Sequence, residues 1–110
     1  MRFSLRYTLA LAILLAGCHG QEDRAVLDAT PGYVCNPPGK TTYGPWGQAG
    51  VTKACLDGNG KIAGTSMAAE WGRIFFVENF DQRQKRWVVE YYDKEGRVEK
   101  RVEKDSPGNL

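Results

Sequence analysis

The 110-residue chain carries 15 Lys and Arg against 13 Asp and Glu, a formal net charge of +2. Arg2 and Arg6 are two of those 15 cations and every acidic residue lies after position 18, so the rest of the chain is formally neutral. Nucleic-acid binding relies on clustered, unpaired Lys and Arg, and this balance removes the electrostatic case for it. The length is that of one small domain, whose core is marginal unless something cross-links it.

The first 18 residues have the organisation of an export signal. Arg2 and Arg6 form a basic segment, residues 9–16 are apolar, and small residues then lead into Cys18. The apolar run is too short for a permanent membrane helix, which needs roughly 20 apolar residues. Residues 15–18, Leu-Ala-Gly-Cys, closely resemble the lipobox of bacterial lipoprotein precursors. A buried helix or an uncleaved anchor is the alternative.

The lipobox resemblance implies a processing pathway and a location. Residues 1–17 would be removed as a signal peptide, and Cys18 would be acylated on its sulfur and on its new amino terminus. The protein would then contact the membrane through acyl chains and not through a basic patch. His19 stands where an aspartate tends to retain Gram-negative lipoproteins in the inner membrane. The resemblance therefore implies the outer membrane, with the periplasmic side favoured over the surface, unless the source is Gram-positive.

A polar stretch separates the lipid site from the first strong turn signal. Residues 18–30 are expected to be the lipidated N-terminus and a tether, with a few turns of helix at 24–29 as the alternative. Pro31 and Gly32 mark the expected start of a β-rich domain at 31–104. Residues 105–110 are expected to form a flexible tail.

The remaining cysteines suggest a cross-link for this small core. If Cys18 carries lipid, Cys35 and Cys55 are an even pair in an exported protein, which favours a disulfide. Closing a loop of about 20 residues would stabilise the fold by roughly 3 kcal/mol in the chain-entropy model. Two free thiols are the alternative. The spacing is not Cys-x-x-Cys, so neither a redox motif nor a zinc site is expected.

Turn residues and short apolar runs alternate from residue 36 onward. Loops are predicted at 36–39, 43–47, 57–60, 81–84 and 93–96. Strands are predicted at 51–56, 73–80, 86–92 and 97–104. Residues 62–71 fit a loop and strand or a helical turn from Ser66, and the charged segment 97–104 fits an edge strand or a helix. The fold class is therefore mainly β, a small antiparallel meander of four to six strands built as stacked hairpins.

One short pattern occurs twice, 36 residues apart. Residues 57–62 and 93–98 both read Asp-x-(Asn/Glu)-Gly-(Lys/Arg)-(Ile/Val), although Asp-x-x-Gly is also ordinary turn chemistry. Residues 87–98 look like a MORN-type repeat, a family that includes YwqK-like proteins and runs Trp-x-x-x-Tyr-Tyr-x-x-x-Gly-(Lys/Arg)-(Leu/Val). The 36-residue spacing exceeds that of MORN units, and the expected glycine before Trp87 is missing. The resemblance implies open hairpin stacks that serve as interaction platforms and supplies no catalytic residue.

Candidate catalytic residues are few. His19 is the only histidine, so neither a histidine-based triad nor a histidine metal site is expected in the domain, and no cofactor is implied. Glu70, Glu78 and Glu90 lie within predicted strands, where two of them could flank a substrate. Solvated or ion-paired carboxylates are the favoured alternative. Ile74, Phe76 and Phe80 are expected on the same face as Glu78, with Phe75 and Val77 on the other.

Aromatic residues are the binding candidates. Tyr43 precedes a stiff Gly-Pro-Trp-Gly loop at 44–47 that carries Trp46, and Trp87 precedes the second repeated turn. A purely structural role, with Trp46 covering one end of the sheet, is the alternative. The expected function is that of a lipid-anchored, non-enzymatic envelope protein whose domain binds a protein partner, as an immunity protein or inhibitor in one version. A carboxylate-based envelope hydrolase and a structural component of an envelope assembly remain the alternatives.

Overall fold

The computed structural model describes residues 20–108, and these form a six-stranded antiparallel sheet with one helix. The lipobox and His19 lie outside the described residues. A helix, α1, spans 20–29. The strands are β1 (Lys40–Trp46), β2 (Gly50–Leu56), β3 (Ile62–Glu70), β4 (Arg73–Asp81), β5 (Arg86–Tyr92) and β6 (Val98–Lys104). They follow one another in the sheet in chain order, which confirms the predicted meander.

Two hairpin turns have the same hydrogen bonds, which explains the repeated sequence pattern. The Asp57 carboxylate accepts the backbone N–H groups of Asn59 and Lys61 at 2.8 and 3.0 Å. In the second turn the Asp93 carboxylate accepts the equivalent groups of Glu95 and Arg97, both at 2.9 Å. The glycines of the two turns have φ values of 77° and 81°, a region that glycine adopts without steric cost. The repeat is therefore a repeat of turn geometry.

The segment predicted as a tether contains α1, which packs on one face of the sheet. Leu27 is fully buried in a core cluster with Met67, Ala69 and Val77. Helix α1 is longer than the helix considered as an alternative at 24–29. Its length was not evident from the sequence, because its apolar side chains gain a surface to pack against only once the sheet has formed. The folded unit therefore includes residues ahead of Pro31.

A disulfide joins Cys35 to Cys55, as the cysteine count predicted, with the two Cα atoms 5.2 Å apart. It ties the segment that follows α1 to strand β2. Val34 strengthens the same attachment, since its backbone N–H donates to the Thr65 hydroxyl at 2.8 Å. The alternative of two free thiols is therefore not what the structure shows.

The structure decides the two ambiguous segments in favour of strands and adds one strand. Residues 62–70 form β3, and 98–104 form the charged edge strand β6. The expected loop at 43–47 lies mostly within β1, where Pro45 is tolerated because β1 is an edge strand. No helix among residues 20–108 is long and apolar enough to cross a membrane.

The sheet has two different faces. We call the side that α1 covers the helix face, and the other side the open face. The cross-strand register places Thr52, Ala68, Phe76 and Tyr91 in one row on the open face. The expected frayed tail also returns to this face, since the Gly108 N–H donates to the Glu78 carboxylate at 2.8 Å.

Candidate binding site on the open sheet face

Aromatic rings from three strands meet on the open face. Trp46 of β1 lies 4.9 Å from Phe75 and 6.1 Å from Phe76, measured between ring centroids. Phe76 in turn lies 6.4 Å from Tyr91 of β5. These tilted and edge-to-face arrangements are the ones that aromatic pairs prefer. Trp46 and Phe76 are half-buried and Tyr91 is 40% exposed, so the cluster presents ring surface to a ligand.

The residues beneath the rings are small. Thr52, Ala54, Ser66 and Ala68 of the central strands are each at most 6% exposed. Strands β1 and β4 are three positions apart in the sheet, which at about 4.8 Å per strand is roughly 14 Å. Because these four side chains of β2 and β3 are small, Trp46 and Phe76 can lean toward each other across them. Small residues at the sheet centre therefore create the site.

An ion pair between the buried Glu78 and the partly exposed Lys104 forms the other wall. The Glu78 side chain is 3% exposed, and its Oε2 lies 2.8 Å from the Lys104 ammonium nitrogen. Its Oε1 accepts the Gly108 backbone N–H at 2.8 Å. Together with the aromatic rings this wall encloses a cleft of about 290 Å³, lined by Trp46, Ser66, Phe76, Glu78, Val89, Tyr91, Lys104 and Gly108. The cleft thus combines aromatic surface with one carboxylate that holds a polypeptide N–H.

A second aromatic pair extends the open face toward the β4–β5 turn. Phe80 and Trp87 are direct register partners with ring centroids 5.4 Å apart, and Phe80 is 36% exposed. Of the three predicted binding residues, Trp46 lines the cleft and Trp87 lies on this extension.

Tyr43, the third predicted binding residue, belongs to the other face. Its hydroxyl donates to the Asp28 carboxylate at 2.5 Å, and the Arg24 guanidinium lies 3.8 Å above its ring. The hydrogen bond from Tyr43 and the ion pair with Lys53 lower the pKa of Asp28, whereas the same Tyr43 bond raises the pKa of the phenol. Lys53 is 9% exposed, and its ammonium nitrogen lies 3.0 Å from the Asp28 carboxylate. Tyr43 therefore helps to attach α1 to the sheet.

The predicted carboxylates are divided between the two faces of the sheet. In the β4–β5 register Val77 pairs with Glu90 and Glu78 with Val89, so Glu78 and Glu90 project from opposite faces. Glu70 shares the open face with Glu78, but its carboxylate accepts the Ala49 N–H at 2.8 Å. Among residues 20–108 no group of His, Cys, Asp and Glu is placed to hold a metal ion.

The sequence pattern missed Phe75 because of a β-bulge. Between Ala68 and Ala69 the β3–β4 register shifts, so that Phe76 pairs with Ala68 and Ile74 with Ala69. The extra residue reverses the alternation. Ile74 therefore packs toward α1, and Phe75 contacts Trp46, opposite to the expected faces. Phe76, Glu78 and Phe80 share the open face as expected.

Comparison of the chain with protein-family models, with curated proteins and with solved structures finds no match. The lipoprotein resemblance therefore depends on residues 15–18, and the MORN-type resemblance on residues 87–98.

Proposed function

We propose that this protein is a lipid-anchored envelope protein that binds a protein partner through the cleft on its open face, without catalysing a reaction. The observation that carries the proposal is the partly exposed aromatic cluster of Trp46, Phe76 and Tyr91, which lies on the face opposite to α1. Anchored aromatic side chains in a concave site dominate the affinity of many protein interfaces.

A polypeptide suits this cleft better than other ligands. Glu78 accepts a backbone N–H from Gly108, and a partner segment that displaces the tail would make the same bond. The nearby rings would contact the partner's apolar side chains, and Lys104 pairs with the buried carboxylate. An exposed loop of a toxin or of a cell-wall hydrolase would fit such a site, and the protein would then act as an immunity protein or inhibitor.

The expected location is the outer membrane, facing the periplasm. The support comes from the lipobox-like residues 15–18 and from His19, together with the disulfide between Cys35 and Cys55, which suits an oxidising compartment. Intact mass of the membrane-extracted protein tests acylation and the disulfide together.

Site-specific photo-crosslinking tests the binding face. A photoreactive phenylalanine analogue replaces Tyr91 on the open face or, as the matched control, exposed Arg101 of the adjacent strand. Arg101 pairs with Glu90, so it projects from the helix face. We expect one defined crosslinked protein from position 91 in intact cells, reduced by Trp46→Ala, and none from position 101. Equal products from both positions, or none from position 91 with the protein folded, would overturn the proposal.

A genetic test separates the inhibitor version from other partners. If the protein neutralises an adjacent effector, deleting that effector gene makes this gene dispensable. Continued need for this gene would refute the inhibitor version and leave the binding face to another partner.

A further inference from the structure

The β3–β4 hairpin presents a tryptophan in an unfavourable backbone conformation. Trp71 and Gly72 form its two-residue turn, with φ values of 58° and 74°. Turns of this kind require positive φ at both positions, so Asn-Gly and Gly-Gly are the usual choices. A bulky residue here costs conformational energy, yet Trp71 is 57% exposed. Strain of this kind is typical of functional positions.

The turn is attached to the first residues of α1. The Gly72 backbone N–H donates to the Asp23 carboxylate at 2.7 Å, and Asp23 is 1% exposed. Gly20 lines a shallow groove together with Gly44 and Gly50 near the β1–β2 turn. The start of α1 and the Trp71 turn therefore lie at the same end of the sheet, which is also where the chain arrives from Cys18.

Chain length places this end close to the lipid site. Two residues from Cys18 to Gly20 span at most about 7 Å. Three residues of helix from Gly20 to Asp23 rise about 4.5 Å, and one hydrogen bond joins Asp23 to the turn. The Trp71 backbone is thus within about 20 Å of the acylated residue, close enough for the turn to reach the surface of the same bilayer.

We propose that the Trp71 turn is a second membrane contact, whose indole lies in the headgroup region of the bilayer that holds the acyl chains. The inference rests on the lipid anchoring proposed above. Tryptophan is enriched at membrane interfaces because its ring is largely apolar but carries one N–H donor. The Asp23 bond holds the turn beside the start of α1, at the end of the sheet nearest to Cys18. The strands then extend away from the bilayer and leave the open face accessible from the side.

The charges near the turn argue that it contacts neutral lipid and does not require acidic lipid. Glu22 lies against Gly72, and Arg73 follows on β4, so the hairpin end carries charges of both signs. A contact that depends on the indole ring should form on zwitterionic lipid and change little with salt.

Tryptophan quenching tests the contact on the full acylated protein in vesicles of phosphatidylcholine brominated near the headgroup end of its acyl chains. Trp46→Phe/Trp87→Phe leaves Trp71 as the emitter. The matched control, Trp46→Phe/Trp71→Phe, leaves Trp87, which pairs with Phe80 near the opposite end of the sheet. We expect brominated lipid to quench Trp71 strongly, with a blue-shifted emission maximum, and to leave Trp87 unchanged.

Flotation of the same vesicles keeps the two proposals separate. Protein that floats with the vesicles but shows no quenching of Trp71 overturns the membrane contact and leaves the lipid anchor standing. Protein that does not float overturns the anchor itself. Should a tryptophan variant fail to fold, 5-fluorotryptophan in the unsubstituted chain gives the same answer by fluorine NMR. Spin-labelled lipid must then broaden the Trp71 signal selectively, and equal broadening of all three signals also refutes the contact.

Discussion

Truncating Leu27 tests whether α1 is part of the folded domain. Leu27 is fully buried among Met67, Ala69 and Val77, which lie on the paired strands β3 and β4. Leu-to-Ala changes at such positions cost 2–5 kcal/mol, because transfer energy is lost and a cavity remains. Neighbours held in sheet register can relax only slightly, so we expect Leu27→Ala to lower the free energy of unfolding by about 3–4 kcal/mol. That is a large part of the stability of a small domain.

Urea unfolding followed by tryptophan fluorescence measures this change. The matched control is Val34→Ala, since Val34 is 51% exposed and its truncation should cost less than about 0.5 kcal/mol. Equal midpoints for the two variants would refute the packed helix and restore the tether that the sequence suggests. A large loss from Leu27→Ala alone would establish that the domain begins ahead of Pro31.

Three further outcomes are expected. Lys104→Met should lower the free energy of unfolding by about 2 kcal/mol, because it leaves the buried Glu78 carboxylate without its cation, and solvent near the partly exposed Lys104 limits the loss. In a Glu78→Gln background the same change should cost clearly less. An unchanged cost in this double-mutant cycle would contradict the ion pair. Lys85 has a φ of 57° in the β4–β5 turn, a conformation that glycine adopts more easily. Lys85→Gly should therefore raise the free energy of unfolding, measured by urea titration, by about 0.5 kcal/mol. Any destabilisation would show that the backbone is not strained there. Backbone N–H groups lower the pKa values of Asp57 and Asp93 below the ordinary 3.8, so both carboxylates add stability above that pH, and this stability is lost as the pH falls through the lower folded pKa. The stability of Asp93→Ala should therefore fall less steeply with pH below about pH 4 than that of the unsubstituted protein. An equal dependence of stability on pH would argue against the turn geometry.

Local chemistry made the hairpins predictable from sequence. An aspartate accepts nearby N–H groups and a glycine adopts positive φ, and both properties act within five residues. The turns at Asp57 and Asp93 needed no tertiary information. The disulfide between Cys35 and Cys55 followed from counting cysteines under the expectation that the chain is exported.

The site was only partly predictable. Glu78, Phe76 and Phe80 share a face because strand alternation is local, but the bulge that turns Phe75 toward Trp46 depends on how β3 and β4 pair. The Glu78 contacts with Lys104 and Gly108 connect β4 to β6 and to the tail across β5, so they exist only once the meander has formed. The face on which Tyr43 lies was unpredictable for a similar reason, since its partner Asp28 lies on a helix whose position the sheet decides.

The amino-acid sequence by itself determined the mainly β class, the turns and the cysteine pair, because each follows from interactions between near neighbours or from residue counts. Only the tertiary structure decided that α1 packs on the sheet through Leu27 and that Trp46 reaches the rings of β4. Marginal local preferences, such as a short polar helix or one inserted strand residue, are resolved by the apolar surface that the completed sheet offers for burial.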